Sequence, residues 1–441
     1  MPACLRHSVP RRDPLHPLLR AKSGVKRLPL SRTQPARRAL LARLAEQYGT
    51  PLYVYDAQVI RAQFASLRAF DTVRFAQKAC SNVHILRLLR ELGAKVDCVS
   101  SGELERAVRA GYDAGIEGEI VFTADVLPRD ALPRILELKV PVNAGSEDML
   151  EQLGRVSPRH PVWIRVNPGF GHGHSKKTNT GGESSKHGIW HENLPRALSL
   201  IDRYQLDLVG VHTHIGSGAD IDHLSRVCDS MVEMVRSLGR DIRAISGGGG
   251  LSIPYRASEL AVDTGAYFLR WDAARKAIEA FLGHAVHLEL EPGRFLTAQA
   301  GVLVTEVMAS KSAGRNHYTL VDAGFNDLVR PAMYGAWHEI ELLPRTEGER
   351  DIVDTAVAGP LCESGDMFTQ SSSGDVLLRA LPRAQVGDLM VLHDAGAYGA
   401  SMSSNYNSRP LIPEVLVDGD SSRLIRRRQT IDDLLSLEDP A

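Results

Sequence analysis

Several side chains that could do chemistry follow apolar segments of this chain, at points where buried strands would end. Lys78 follows the apolar run 72–76. A lysine at the end of a buried strand is costly unless it has a partner or a chemical role. A desolvated lysine has a lowered pKa and can hold an aldehyde cofactor covalently. For Lys78 taken alone, the alternative is an ammonium group that simply extends into solvent.

Other strand ends carry groups that could bind an anion or a flat ring. The glycine run 247–250 offers backbone N–H groups to a phosphate, with a flexible loop as the alternative. Ser217 adds a hydroxyl and Arg294 a charge. His214 is either a hydrogen-bonded core histidine or a ring that stacks on a cofactor. A buried Glu291 needs a cationic partner, which a protonated pyridine nitrogen would supply. Together with Lys78, these groups predict a pyridoxal phosphate site.

The elements that position these residues alternate regularly. Amphipathic stretches with apolar spacings of three and four separate short apolar runs. We predict eight strands: 73–76, 95–100, 120–124, 140–144, 162–167, 208–215, 242–246 and 286–290. Eight such units predict an α/β chain with a (β/α)₈ TIM-like barrel, in which chemistry lies at the carboxyl ends of the strands. A doubly wound open sheet is the alternative fold.

We divide the chain into three parts. Residues 1–38 are rich in Arg, Lys and Pro and are expected to form a disordered tail. Residues 57–300 are assigned to the barrel. Residues 39–56 and 301–441 are assigned to a second, mostly β domain, because the later runs are strand-like and no long helical pattern appears before 432–437. A transit peptide is the alternative for the tail, but Pro10, Pro14, Pro17 and Pro29 oppose its amphipathic helix.

Composition excludes several classes of protein. The chain has 441 residues, of which 43% are hydrophobic and 24% charged, and its formal net charge is -1. This balance predicts a soluble globular protein that binds neither nucleic acid nor membranes. The sparse cysteines predict a cytoplasmic location without a disulfide framework: Cys4, Cys80, Cys98, Cys228 and Cys362. We predict no metal site, because His172 and His174 have no third ligand nearby.

Ten blocks of sequence, which extend over nearly everything after about residue 40, carry a family resemblance. The chain resembles the fold-type III, alanine-racemase-like pyridoxal phosphate decarboxylases and, among them, the diaminopimelate decarboxylases. The blocks are FAQKACSN (75–82), VDCVSSGELERA (96–107), RVNPGFGHGH (165–174), KTNTGGESSKHGI (177–189), HTHIGSG (212–218), SGGGGLS (246–252), ELEPGRF (289–295), VDAGFNDLVRPAMYG (321–335), AGPLCESGD (358–366) and HDAGAYGASMSSNYNSRP (393–410).

The resemblance implies a role for each matched residue. Lys78 attaches pyridoxal 5'-phosphate, His214 stacks on its ring and Glu291 pairs with the ring nitrogen. The residues that hold the phosphate or its neighbourhood are Ser217, Gly250, Gly293, Arg294 and Tyr398. The substrate is held by Arg294, Arg330, Tyr334, Glu363 and Tyr398. Cys362 returns a proton to carbon, so the catalytic residues are Lys78, His214 and Cys362. A head-to-tail homodimer is also implied, in which Cys362 and Glu363 reach into the partner's site.

The implied activity is pyridoxal-phosphate-dependent decarboxylation of meso-2,6-diaminopimelate to L-lysine and CO₂, the last step of bacterial lysine biosynthesis. The charges of the predicted site agree with this substrate, because Arg330 offers a carboxylate a bidentate partner and Glu363 can bind an ammonium group. Ornithine would leave Arg330 unpaired. The alternatives are a decarboxylase of ornithine or arginine, a racemase on the same fold, and a non-catalytic relative that has lost its cofactor.

Overall fold

The computed structural model describes residues 35–171, 180–214 and 221–438. The predicted site residue Ser217, the pair His172 and His174, and residues 1–34 of the predicted tail lie outside these ranges. In chain order, the strands are β1 (Leu52–Asp56), β2 (Thr72–Ala76), β3 (Lys95–Cys98), β4 (Ile120–Ala124), β5 (Val142–Ala144), β6 (Pro161–Asn167), β7 (Ile189–Trp190), β8 (Asp207–His212), β9 (Ala244–Ser246), β10 (His287–Leu290), β11 (Gly301–Ala313), β12 (Asn316–Val321), β13 (Ile340–Leu343), β14 (Ile352–Ala358), β15 (Arg379–Pro382), β16 (Leu389–Leu392), β17 (Glu414–Asp418) and β18 (Ser421–Arg426).

The α-helices mostly lie between barrel strands. They are α1 (Pro35–Tyr48), α2 (Ala57–Ala65), α3 (Val83–Glu91), α4 (Ser101–Ala110), α5 (Ala131–Leu138), α6 (Glu147–Val156), α7 (Leu194–Tyr204), α8 (Ile221–Leu238), α9 (Thr264–Leu282), α10 (Arg294–Thr297), α11 (Arg330–Tyr334) and α12 (Ile431–Leu435). Helix α1 begins four residues inside the predicted tail, because a proline is tolerated in the first helical turn. None of the helices in the described ranges could cross a membrane.

Eight parallel strands close into a barrel, which confirms the predicted (β/α)₈ fold and excludes the open sheet. The strands follow the order β2-β3-β4-β5-β6-β8-β9-β10, and β10 pairs with β2 to complete the circle. All eight correspond to predicted runs. Alternate strand residues such as Phe75, Val96 and Phe122 belong to the main hydrophobic core, as expected when helices cover a parallel sheet. The strand residues between them include buried polar side chains such as Asp97 and Arg165. At the closing seam, the buried ion pair Arg74–Glu289 has an Nη2–Oε1 distance of 3.0 Å.

A second sheet contains the remaining strands except β7, which pairs with β6. Its main order is β15-β14-β12-β11-β1-β17-β18, and β16 pairs with both β11 and β13. Strand β1 is antiparallel to β11 and parallel to β17, so the chain starts this sheet before it enters the barrel. The predicted mostly β second domain is therefore present. Strands β13 and β15 could not be recognised in the sequence, because both are short and β15 ends in a proline at the sheet edge.

The β sheet domain contacts the turn that carries Lys78. The backbone N–H of Tyr398 donates to the Ala79 carbonyl at 2.8 Å. The buried carboxylate of Glu414 on β17 accepts hydrogen bonds from the Tyr55 hydroxyl at 2.8 Å and from Asn82 Nδ2 at 3.0 Å. These contacts fix the loop after β2 from the side opposite the barrel core.

Candidate active site

A cavity lies at the carboxyl ends of the barrel strands, where the fold predicts chemistry. We call it the inner cavity. It is lined by Ala76, Lys78, Asp97, Thr123, Arg165, His212, His214, Gly249, Gly250, Leu251, Glu291, Gly293, Arg294 and Tyr398. Most predicted cofactor residues therefore converge on one place although they are far apart in sequence.

Lys78 lies on a 3₁₀ turn, Gln77–Ala79, directly after β2. Its Nζ is 3.9 Å from Asp97 Oδ2, and its side chain is 44% exposed whereas that of Asp97 is 1% exposed. The amine thus reaches into the cavity above a buried acid. Burial alone would lower the pKa of Lys78, but the nearby Asp97 carboxylate and Tyr398 raise it above its usual value. The predicted lowering of this pKa is wrong because the acid was not foreseen.

Glu291 follows β10, and each of its oxygens faces a donor. Oε2 accepts a hydrogen bond from His212 Nε2 at 2.9 Å, and Oε1 accepts one from Ser246 Oγ at 3.0 Å. Burial opposes ionisation, but contact with His212 holds the pKa of Glu291 below its usual value. The pKa of Asp97 is raised by burial and by repulsion from Glu291. Of the two acids in the cavity, Glu291 therefore ionises at the lower pH.

The glycine run approaches the end of β8 very closely. Gly248 has a φ of +61°, and a Cβ there would lie 2.4 Å from the Thr213 carbonyl oxygen. A Cβ on Gly249 would lie 2.8 Å from the Glu291 carbonyl oxygen. Among the described residues, the N–H groups of Gly249 and Gly250 have no protein acceptor. The loop therefore offers donors to an anion at a place where side chains do not fit.

His214 lies between the glycine loop and Lys78. The Nδ1 atom of its ring is buried and has no hydrogen-bond partner among the described residues. Burial, together with the charges of Arg165 and Lys78, holds the pKa of His214 well below its usual value. The ring is therefore neutral, which suits stacking on another ring.

A second cavity of about 360 Å³ adjoins the first and shares His214, Arg294 and Tyr398 with it. We call it the outer cavity. Its remaining lining comes from the segment before α9 and from around α11, with single residues from elsewhere: Thr180, Tyr255, Arg256, Glu259, Arg330, Tyr334, Gly335, Ala336, Trp337 and Met402. It therefore lies where the barrel meets the β domain.

Two arginines in the outer cavity have polar but uncharged partners. Arg330, 6% exposed, donates from Nη1 to His338 Nε2 at 2.8 Å, and His338 Nδ1 donates to the His393 carbonyl at 2.8 Å. Arg294 Nη1 donates to the Tyr255 hydroxyl at 2.7 Å. In the described ranges, neither arginine forms an ion pair with a carboxylate. A buried guanidinium without an acid is a binding site for an anionic ligand.

Comparison with known proteins identifies the family. The profile described as "Pyridoxal-dependent decarboxylase, pyridoxal binding domain" matches residues 56–298. The diaminopimelate decarboxylase of Streptomyces coelicolor is 63% identical over 401 residues, which cover 90% of this chain and 91% of the relative. That of Escherichia coli is 62% identical over 402 residues, which cover 90% and 96%. The chain belongs to the diaminopimelate decarboxylase family. Pyridoxal 5'-phosphate is therefore its cofactor.

Solved structures of diaminopimelate decarboxylases share this fold. A crystal structure of one member is 62% identical, has a TM-score of 0.88 and is matched over 90% of this chain and 96% of its own. The Helicobacter pylori member, solved in complex with L-lysine, is 30% identical with a TM-score of 0.81, over 90% and 98% of the two chains. The resemblance in the isolated motifs thus extends to the whole architecture from about residue 40.

The inner cavity fits the cofactor of this family. A primary amine, a neutral flat ring, an ionised carboxylate and backbone N–H groups at a glycine loop suit the aldehyde, the ring, the ring nitrogen and the phosphate of pyridoxal phosphate. Buried Asp97 Oδ1 and His214 Nδ1 have no partner among the described residues, which is expected of atoms beside a ligand.

Two predicted site residues stand apart. Cys362 and Glu363 are exposed and line neither cavity of their own chain. The backbone N–H of Cys362 donates to Asn407 Oδ1 at 3.0 Å, and the Tyr406 hydroxyl donates to Glu363 Oε1 at 2.6 Å. The other described residues predicted for the site line one or both cavities: Lys78, His214, Gly250, Glu291, Gly293, Arg294, Arg330, Tyr334 and Tyr398.

Sequence reasoning assigned no role to several residues that the structure places in the site. His212 is the last residue of β8 and lies two positions before His214. Ser246 is the last residue of β9, directly before the glycines. Tyr255 and His338, which contact the two arginines, lie in irregular segments where no periodicity could mark them.

Proposed function

We propose that this chain converts meso-2,6-diaminopimelate to L-lysine and CO₂. The observation that best supports this substrate is the buried guanidinium of Arg330, which faces the outer cavity without an acidic partner in the described ranges. Diaminopimelate has a second amino-acid end, and its distal carboxylate would complete that pair. Relatives that are 62–63% identical carry the name diaminopimelate decarboxylase.

The inner cavity would hold pyridoxal 5'-phosphate. When bound, the cofactor supplies an electron sink for the carbon that loses CO₂. The Lys78 amine would hold its aldehyde carbon, His214 would support its ring and Glu291 would hold a proton on its ring nitrogen. The phosphate would lie against Gly250 and Gly293, with Ser217, Arg294 and Tyr398 nearby.

The outer cavity would orient the substrate. Arg330 offers its guanidinium fork to the distal carboxylate, while Arg294, Tyr334 and Tyr398 bind along the chain toward Lys78. Exclusion of water from this cavity strengthens each charged contact. Ornithine lacks the distal carboxylate, so it would leave Arg330 buried and unpaired, at a cost of about 2–5 kcal/mol. This difference favours diaminopimelate over other basic amino acids.

A homodimer would complete the site. Cys362 and Glu363 lie on the surface of their own chain, which supports a head-to-tail arrangement in which they enter the outer cavity of a partner subunit. There, Glu363 would bind the distal ammonium group and the Cys362 thiol would give its proton to the carbon that has lost CO₂. We place this dimer in the cytoplasm.

The test is the release of lysine and CO₂ by purified protein reconstituted with pyridoxal 5'-phosphate. Meso-diaminopimelate and ornithine are supplied in separate reactions, at equal concentrations. We expect lysine from diaminopimelate and no significant CO₂ from ornithine. Turnover of ornithine in preference to diaminopimelate would contradict the assignment of Arg330, and a colourless protein that turns over neither would contradict the enzymatic function itself.

A further inference from the structure

The carboxylate of Glu291 is held by the ends of two neighbouring barrel strands. His212 is the last residue of β8, Ser246 is the last residue of β9, and the two are paired in register. Glu291 follows β10, which pairs with β9. Three adjacent strands therefore bring a ring nitrogen, a hydroxyl and a carboxylate to the same level of the barrel, where they form hydrogen bonds of 2.9 and 3.0 Å.

The hydrogen bond fixes the form of His212. The ring is 1% exposed, and a carboxylate can only accept a hydrogen bond, so Nε2 must carry the proton. Its Nδ1 is buried and has no partner among the described residues. Within the described ranges, the hydrogen bond to Glu291 is therefore the one polar contact of this ring.

Ser246 connects this pair to the glycine loop. While its hydroxyl donates to Glu291, it accepts the N–H of Gly248 at 3.2 Å. The backbone N–H of Glu291 in turn donates to the Gly248 carbonyl at 2.8 Å. Three hydrogen bonds therefore link the Glu291 carboxylate, which would face the cofactor nitrogen, to the glycine loop, which would bind the cofactor phosphate.

Asp97 competes with Glu291 for the negative charge. Both acids line the inner cavity, and the buried pair would repel if both were ionised. Five other titratable groups face Glu291: Arg74 on β2, Lys78 after β2, Arg165 on β6, and His212 and His214 at the end of β8. Among these groups, His212 has a hydrogen bond to Glu291, whereas Lys78 is 3.9 Å from Asp97.

We propose that His212 is a positioning residue that makes Glu291, rather than Asp97, the ionised acid of the inner cavity, and that it thereby keeps the ring nitrogen of the bound cofactor protonated. Ser246 assists by fixing the second oxygen. The inference rests on the proposed pairing of Glu291 with the cofactor nitrogen. His212 would thus control the charge state of the Glu291 carboxylate without touching the substrate or the reacting atoms.

The test is the ¹⁵N chemical shift of the ring nitrogen in holoenzyme that contains ¹⁵N-labelled pyridoxal 5'-phosphate, measured across pH without substrate. In the unaltered protein, we expect the shift of a protonated nitrogen up to alkaline pH. His212→Leu removes the donor, so the nitrogen should lose its proton at a pH at least one unit lower, and kcat should fall more than tenfold. His212→Gln restores a hydrogen-bond donor to Glu291 and should return both values toward those of the unaltered protein.

Two further variants keep the inference falsifiable. Asp97→Asn in the His212→Leu background removes the competing acid, so it should restore the protonated ¹⁵N shift in part. Ser246→Ala should move the titration in the same direction as His212→Leu, but by less. A folded His212→Leu holoenzyme with an unchanged titration would overturn the inference, and, should that variant not fold, an unchanged titration in Ser246→Ala would do so. Because no substrate is present, failure of the diaminopimelate assignment would leave this measurement interpretable.

Discussion

The inner and outer cavities are neighbours, but they treat charge differently. In the inner cavity, the acid Glu291 is already satisfied by His212 and Ser246. In the outer cavity, Arg330 forms side-chain hydrogen bonds with uncharged groups, the ring of His338 and the hydroxyl of Tyr255, and with no carboxylate of the described residues. A charge that the protein itself stabilises by hydrogen bonds suits a cofactor that stays bound, whereas a charge without an oppositely charged partner suits a substrate that binds and leaves.

The two cavities also differ in origin. The inner one is built from the ends of barrel strands, which hold side chains rigidly in place. The outer one is built from α11 and from irregular segments such as the one that carries Tyr255. Barrel strands therefore position the group that performs the chemistry, and a short helix with irregular segments would select the molecule on which it acts.

The largest effect should follow loss of the amine in the inner cavity. Lys78→Ala should lower kcat by on the order of 10⁴-fold or more, since a tethered group acts at an effective concentration of about 10⁵ M and above. The protein should also no longer retain the cofactor after gel filtration, as its absorption spectrum would show. Lys311→Ala, on the exposed part of β11, is the control and should match the unaltered enzyme. Activity that survives Lys78→Ala would remove the inner cavity from the mechanism.

Next in size is the effect of removing the unpaired cation. Arg330→Met should lower kcat/KM for diaminopimelate by roughly 30- to 1000-fold, equivalent to about 2–4 kcal/mol for a buried charged contact. The free energy of unfolding should not fall, because no carboxylate of the described residues loses its partner.

The matched control for Arg330 is Arg350, which is also largely buried but forms an ion pair with Asp388 at 3.1 Å, outside both cavities. Arg350→Met should reduce the free energy of unfolding by about 2–3 kcal/mol and leave kcat/KM within about twofold. Equal losses of stability in both variants would remove the distinction between paired and unpaired arginines.

The two acids of the inner cavity should respond to pH in opposite ways. The pKa of Glu291 lies below its usual value of 4.5, so its ionised form stabilises the fold above that pH, and this contribution is lost as the pH falls further. The pKa of Asp97 lies above 3.8, so the protein loses stability as the pH rises from that value. At pH 7, we expect the free energy of unfolding to rise by about 1–3 kcal/mol in Asp97→Asn and to fall by a similar amount in Glu291→Gln.

Denaturant unfolding of the cofactor-free protein at several pH values measures this contrast. The difference between each variant and the unaltered protein should shrink toward acidic pH, where both carboxyls are protonated. If the free energy of unfolding changed with the same sign in both variants, the inner cavity would not shift the pKa values of its two acids in opposite directions.

A smaller effect is expected at the boundary between the cavities. Tyr255→Phe removes the hydroxyl that accepts from Arg294 at 2.7 Å but keeps the ring, which lies 4.9 Å from the Arg330 guanidinium carbon. KM for diaminopimelate should rise about threefold to tenfold, since one hydrogen bond contributes about 0.5–1.5 kcal/mol net. Steady-state kinetics would show this change with kcat nearly constant. A fall in kcat without a change in KM would place Arg294 in the chemistry instead.

The barrel could be predicted from the sequence because each of its strands is a short apolar run bounded by helical periodicity. Its site could be predicted in outline because strand ends meet in a barrel, which brings Lys78 and Glu291 together. The direction in which the pKa of Lys78 shifts could not be predicted from the sequence, since it depends on the distance between Lys78 and Asp97. Likewise, the bond from His212 to Glu291 joins residues 79 positions apart and leaves no local pattern.

Selection of diaminopimelate depends on Arg330 as the residue that recognises the distal carboxylate. The measurement that tests this role is the ratio of kcat/KM for diaminopimelate to kcat/KM for ornithine, in the unaltered enzyme and in Arg330→Met. We expect a ratio that strongly favours diaminopimelate and that falls by roughly 30-fold or more in the variant, because ornithine never uses this contact. A ratio that Arg330→Met leaves unchanged would show that the outer cavity does not select the substrate.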